Sequence, residues 1–139
     1  PLSYSYIKEP IAIEVCEKLT NYYLNRLPED FVPYWDLIFA SGDEVRDSST
    51  AAIAVCGLTE FLPYVQDEKL KRIYKNAADQ SLKSLIDNYT TNGMHSNGIL
   101  KHGVYAKPNN RGVDECVIWG DYYYMEALVR YSGNWNKYW

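Results

Sequence analysis

The sequence predicts an all-α chain built of helical hairpins. Four segments repeat apolar residues at helical spacing, no segment shows a convincing period-two alternation, and the connections between helices alternate short and long. With 139 residues, 47% hydrophobic and 23% charged, the chain is long enough for one small domain and too apolar for disorder.

The first helix opens at Pro10, a residue that suits a first helical turn because its missing N–H has no partner there anyway. Ile11, Val15, Leu19, Tyr22 and Tyr23 then fall on one stripe, and the pattern stops before Pro28. The second has Asp47 as its N-cap, whose side chain accepts from backbone N–H groups of the first turn. It runs through Ala51, Ala52, Val55, Leu58 and Leu62 to Pro63. Short side chains at Ala51, Ala52, Ala54 and Gly57 allow a neighbouring helix to approach closely, as in the inner layer of a crowded bundle or barrel.

After Asp67 a third stripe is formed by Leu70, Ile73, Tyr74, Ala77, Leu82, Leu85 and Tyr89, with charges on the opposite face and Asn92-Gly93 as its end. The fourth helix covers Asp121 to Tyr131 and carries Tyr123, Tyr124, Ala127, Leu128 and Tyr131 before Ser132-Gly133 closes it. Consecutive tyrosines on a helix point in different directions, so Tyr123 and Tyr124 read as core. Trp135 and Trp139 read as anchors for the tail.

The link around Pro63 to Gln66 is short and predicts an antiparallel hairpin, whereas Leu27 to Arg46 and Thr90 to Gly120 are long. In a ring of hairpins that alternation gathers the long loops at one end, where function concentrates. The competing architecture is a self-contained four-helix bundle, but bundles usually join their helices with about 2–8 residues.

Composition removes several functional classes. A net charge of −4 gives no basic stripe for a phosphate backbone, so no nucleic-acid partner is expected. No apolar run approaches the roughly 20 residues that span a bilayer, so no membrane partner is expected either. Cys16, Cys56 and Cys116 are odd in number and lack zinc spacing, which favours a reducing, cytoplasmic compartment, with the periplasm as the alternative. The two histidines show no metal spacing, and neither metal nor cofactor is expected. Fourteen tyrosines and four tryptophans supply flat rings with polar edges, a chemistry that suits the C–H faces of sugars as well as ordinary core packing.

Two stretches in the first long segment, Pro28-Glu29-Asp30-Phe31-Val32-Pro33-Tyr34-Trp35-Asp36 and Arg46-Asp47-Ser48-Ser49-Thr50-Ala51-Ala52, are followed by Gly98-Ile99-Leu100-Lys101-His102-Gly103-Val104-Tyr105. Gly112-Val113-Asp114-Glu115 and Ile118-Trp119-Gly120-Asp121-Tyr122-Tyr123-Tyr124-Met125-Glu126 complete the set. In this order the set resembles glycoside hydrolase family 88, the unsaturated glucuronyl hydrolases. The resemblance implies a six-hairpin (α/α)6 barrel, of which residues 1–139 form the C-terminal portion of a single catalytic domain. Leu2 to Lys8 then reads as the end of a barrel helix, and apolar helix faces are expected to stay uncovered unless the remainder of the barrel or another copy of the chain packs on them.

The activity implied is removal of a 4,5-unsaturated uronic acid from the non-reducing end of lyase-generated glycosaminoglycan oligosaccharides. A carboxylic acid protonates the vinyl ether and water adds, which requires positioned carboxyl groups. In the family those aspartates lie upstream of anything that aligns here, so no catalytic residue is assigned in this chain. Alternatives are an unsaturated galacturonyl hydrolase of pectin breakdown and a non-catalytic carbohydrate-binding fragment.

The candidate substrate-binding residues are His102, Trp35, Asn109, Arg111 and Trp119. His102 falls in a loop where the family uses a histidine near substrate, and its ring both donates and accepts. Relatives acting on sulfated fragments carry an S-x-x-S-x-K pattern where this chain has Ala106-Lys107-Pro108-Asn109-Asn110-Arg111. Asn109 keeps a donor and Arg111 a forked cation, while the first hydroxyl is absent; a plain solvated turn is the competing reading. Trp35 and Trp119 sit in the long loops beside signature segments, where sealing a loop onto a helix end is their other role. Asp36 and Asp47 also lie near the cleft, but Asp47 and Asp121 read as helix caps and Arg46 as a local partner of Asp43 or Glu44. Asp114 and Glu115 read as solvated loop residues, and His95 as exposed.

Overall fold

The computed structural model describes residues 1–133 and 135–136, so the expectation for Trp139 lies outside the described residues. Five helices, α1 (Leu2–Ile7), α2 (Pro10–Leu24), α3 (Ser48–Phe61), α4 (Glu68–Asn88) and α5 (Ile118–Tyr131), are joined by a β hairpin of β1 (Gly103–Ala106) and β2 (Arg111–Glu115). The predicted starts at Pro10, Asp47 and Asp67 hold: Asp47 accepts from Ser49 N–H, and Asp67 from Lys69 and Leu70 N–H.

Helix α3 is the axis of the fold. A short 3-10 turn over Leu62–Tyr64 reverses the chain into α4, and Phe61 stacks on Tyr74 at 5.9 Å. Helix α5 runs alongside α3 in the same direction: Gly120 faces Ser49, Cys56 donates its S–H to the Tyr123 carbonyl at 3.3 Å, and Arg130 reaches Glu60 at 3.0 Å. Ala51, Ala52, Val55 and Ala127 are fully shielded between these helices with Leu82, Leu85 and Tyr124. The small residues on α3 do let the helices close up. A methyl on Gly120 would come within 3.2 Å of Ser49 Cβ.

Near the far end of α3 and α5, Arg130 bridges Glu126 at 2.8 Å and Glu60 at 3.0 Å, with all three side chains buried. Arg130 also lies over the Trp135 ring at 4.2 Å, so Trp135 packs as an anchor. Burial first, and the Glu126 charge second, push the Cys56 thiol up to about 12, which removes it as a nucleophile.

Three expectations need correction. Strands are present: β1 and β2 pair antiparallel, with Val104 opposite Val113 and Ala106 opposite Arg111. Their two strands of four and five residues are too short for a readable alternation. Secondly, α5 starts at Ile118, which places Asp121 inside its first turn; its carboxylate accepts from the N–H groups of Ile99 and Leu100 (3.0 and 2.8 Å) and ties the long loop down. Thirdly, Arg46 bonds the Val32 carbonyl at 2.8 Å and Asp30 at 3.3 Å, because a bridge between Tyr34 and Arg46 turns it away from Asp43 and Glu44.

The α2 stripe is open rather than buried. Ile11 and Leu19 are 58% and 63% exposed, with Val15 and Tyr22 also in solvent, while Ile13, Cys16 and Leu24 pack inward on Leu58, Phe61 and Tyr74. Each large apolar side chain left in water forgoes about 1.5–3 kcal/mol of burial. Uncovered helix faces were expected of a partial barrel, and α2 has one.

Candidate functional site: the loop rim at the start of α3

Both long connectors meet at one end of α3. The first returns with Asp47 N–H donating to the Pro33 carbonyl at 2.9 Å and Trp35 N–H to that of Val45 at 3.0 Å. The second passes over α3 where Ser48 donates its N–H to the His102 carbonyl (3.0 Å) and its Oγ–H to that of Lys101 (2.6 Å). The short α3–α4 turn lies at the opposite end.

Four of the five candidate residues gather on one side of this rim. Trp119 donates its Nε1–H to Ser49 Oγ at 3.1 Å and lies 5.6 Å from the Tyr105 ring, over which Arg111 sits at 5.8 Å. Trp35 donates its Nε1–H to Glu44 at 2.9 Å, and Lys107 approaches the same carboxylate at 3.7 Å, which brings the first loop against the hairpin turn. Asn109 is exposed in that turn, a 3-10 segment over Lys107–Asn109 closed by Asn110 with φ 48°. The two indoles are thus held by hydrogen bonds at their polar edges and Lys107 by its ion pair. Tyr105 is 58% exposed, Trp119 half-buried and Arg111 exposed, so flat apolar area and a forked cation face outward together.

His102 stands apart from that group. Its Nδ1 meets Asp114 Oδ1, and its ring meets the Tyr89 ring edge-on at 5.7 Å. Tyr89 donates its hydroxyl to Asp30 at 2.7 Å; burial, then that carboxylate, raises the phenol well above its ordinary value. Arg46 completes the wall, 3.3 Å from Asp30 and 4.2 Å over the Tyr34 ring. Asp30, Arg46, Tyr89, His102 and Asp114 line a cleft of about 350 Å3. Alternating carboxylate, guanidinium, phenol and imidazole groups suit a polyhydroxylated ligand, which both donates and accepts.

His102 and Asp114 both hold left-handed backbones, φ 64° and 62°. The hairpin register explains Asp114: Gly103 faces Glu115 and Val104 faces Val113, so Asp114 is the extra residue of a β-bulge. Asp114 is exposed, as the solvated reading has it, but it lies in β2 rather than in a loop, and the bulge aims it at His102. A methyl on Gly103 would lie 2.7 Å from Val117, which is why the residue after His102 has no side chain.

Asp36 and Asp47 are committed to other bonds. Asp36 accepts from Ile38 N–H at 2.9 Å and shapes a turn. Asp47 is 7% exposed and uses both oxygens, for Ser49 and Thr50 among others. His95 is exposed, as read from the sequence. Among the described residues no three His, Cys, Asp or Glu side chains converge to hold a metal ion. Tyr105, Tyr89, Asp30 and Ser49 were missed as site residues; Asp30, Ser49 and Tyr105 stand inside the quoted motifs, whereas Tyr89, 59 positions from Asp30, lies outside them and carries no local signal.

Helical hairpins around a common axis, with extended connectors gathered at one rim, define the chain as a segment of an α/α barrel. No family model matches it. Relatives do: it is 49% identical to the unsaturated chondroitin disaccharide hydrolase of Streptococcus pneumoniae over its full length, which is 36% of that protein. To the unsaturated glucuronyl hydrolase of Bacillus sp. GL1 it is 32% identical, over 99% of this chain and 37% of that one. The crystal structure of the unsaturated glucuronyl hydrolase from Streptococcus agalactiae superposes with a TM-score of 0.94 at 47% identity, covering 100% of this chain and 36% of that chain. A mutant of that enzyme has been solved in complex with dGlcA-GalNAc6S, again with a TM-score of 0.94. Over its full length the chain is similar to unsaturated glucuronyl hydrolases, and it spans about 36% of the length of the curated relatives it matches.

Proposed function

We propose that this chain forms the C-terminal portion of a hydrolase that removes 4,5-unsaturated uronic acid from the non-reducing end of glycosaminoglycan fragments, and that it supplies part of the saccharide-binding rim. The observation that carries this reading is the gathering of Tyr105, Arg111, Trp119 and Trp35 at the start of α3. The rings offer faces for the sugar, Arg111 and Asn109 meet its anionic group, and His102 binds from the adjoining cleft. The similarity to an unsaturated chondroitin disaccharide hydrolase supports the substrate class.

The chemistry is protonation of the vinyl ether by a carboxylic acid and addition of water, giving an unstable product that opens and releases the sugar. Asp36, Asp47 and Asp121 are held by backbone and side-chain donors, which supports placing the acid on aspartates outside this segment. The remainder of the barrel then also covers the open stripe of α2.

A chimera tests this reading. The segment of the Streptococcus pneumoniae relative that matches this chain is replaced by residues 1–139, and loss of the absorbance of the conjugated acid is followed on the unsaturated chondroitin disaccharide. Turnover is expected from the chimera and none from the 139-residue chain alone. A folded but inactive chimera, or turnover by the isolated chain, contradicts the reading.

A further inference from the structure

Two aspartates cap helices here, and their surroundings differ. Asp67 is exposed at the start of α4 and accepts from Lys69 N–H at 2.7 Å and Leu70 N–H at 3.1 Å, both of its own first turn. Asp47 is buried and does more than cap. Its Oδ1 accepts from Ser49 N–H (3.1 Å), from Ser49 Oγ–H (2.6 Å) and from Val104 N–H of β1 (3.3 Å), while Oδ2 accepts from Thr50 Oγ1–H (2.7 Å). Ser49 Oγ, its proton directed at the carboxylate, presents a lone pair to the indole N–H of Trp119 at 3.1 Å.

We propose that Asp47 is a positioning residue for the saccharide platform: through Val104 it fixes the hairpin that carries Tyr105 and Arg111, and through Ser49 it fixes the indole of Trp119. The proposal rests on the reading above, in which these rings face the sugar. One carboxylate thereby sets the 5.6 Å spacing between rings that belong to β1 and α5, elements separated in the chain by the hairpin turn and β2. Hydrogen bonds to a charged acceptor are about twice as strong as those between neutral groups. Water does not replace them at a side chain that is 7% exposed. An asparagine at this position removes the charge, so the bonds that its remaining oxygen accepts from Ser49 and Val104 fall to neutral strength, and its amide NH2 replaces the acceptor of the Thr50 hydroxyl.

The test reads the indole N–H resonances of the 15N-labelled chain, with that of Trp119 assigned by Trp119→Phe. Asp47→Asn and Ser49→Ala are each expected to move the Trp119 resonance, and Ser49→Thr, which restores the hydroxyl, to return it toward the wild-type position. Asp67→Asn removes the charge of a cap of the same kind on α4 and is expected to lower the melting temperature without moving that resonance. An unmoved Trp119 signal in both Asp47→Asn and Ser49→Ala, or an equal displacement in Asp67→Asn, overturns the proposal. Titration with the unsaturated chondroitin disaccharide separates it from the functional reading. If the wild type binds nothing while the resonance responds as described, the positioning role stands and the saccharide reading falls. If the wild type binds, Asp47→Asn is expected to weaken binding roughly tenfold, in line with the penalty for misplaced groups, and unchanged affinity overturns the proposal.

Discussion

His102 and Asp114 face each other, Nδ1 to Oδ1, across the base of the β1–β2 hairpin, and each holds a left-handed backbone. For a residue with a Cβ that conformation costs roughly 1–2 kcal/mol, whereas an ion pair of two largely solvated side chains is worth about 0–1 kcal/mol. The pair itself does not offset that cost, and the binding role proposed for His102 is one use such a strained residue can serve. His102→Gly is expected to unfold in urea no more easily than the wild type while losing affinity for the unsaturated disaccharide. A stability loss above about 1 kcal/mol would contradict this, because relief of the backbone outweighs the lost contact.

Close approach of α5 to α3 fixes the height of Trp119 above Ser49. Gly120→Ala places a methyl 3.2 Å from both Ser49 Cβ and Val117 Cγ2, neither of which is the free end of a flexible side chain. Overpacking of this kind costs about 1–3 kcal/mol. Urea denaturation of the variant is expected to show a loss in that range, together with a displaced Trp119 indole resonance.

Arg130 is the only cation of the buried Glu60–Arg130–Glu126 group among the ion pairs of the described residues. Arg130→Met leaves two carboxylates without it at side chains under 10% exposed, and breaking a buried pair by removing one partner costs about 3–5 kcal/mol. The loss should appear in chemical denaturation and exceed that of Lys71→Met, whose pairing with Glu68 is exposed.

Asp67 supplies a pH dependence with a defined sign. Backbone bonds from Leu70 and then Lys69 hold its carboxyl below the ordinary value of 3.8. Its contribution is fully present above that value and is lost as the pH falls through the lowered one. The melting temperatures of the wild type and Asp67→Asn should differ at pH 7 and converge as the pH is taken below 3.8. A difference that persists unchanged in acid would assign the effect to something other than the ionised cap.

Much of the helical frame was readable because its signals are local. Asp47 and Asp67 precede apolar periods and cap them, and Pro63 ends α3 near its observed limit. The hairpin was not readable from periodicity, since Gly103 and Gly112 interrupt strands of four and five residues; the better signal was the turn itself, Pro108-Asn109-Asn110, with Asn110 at φ 48°. The partners of Arg46 and Asp121 were missed for a different reason. Asp30 lies 16 positions before Arg46 and Ile99 lies 22 before Asp121, and only tertiary folding brings such pairs together. Asp114 gained its role from a register slip of one residue, which no spacing rule reveals. Trp35, Asn109, Arg111 and Trp119 came together around the start of α3 as one group, whereas His102 opened onto a neighbouring cleft.

Backbone amide shift mapping of the chain during titration with the unsaturated chondroitin disaccharide tests the saccharide-binding rim most directly. Perturbations are expected over residues 101–119 and 33–47, at the loop end of α3, with saturation that is lost in Arg111→Ala. Absence of perturbation there, or a response centred on the short turn between α3 and α4, would contradict the account.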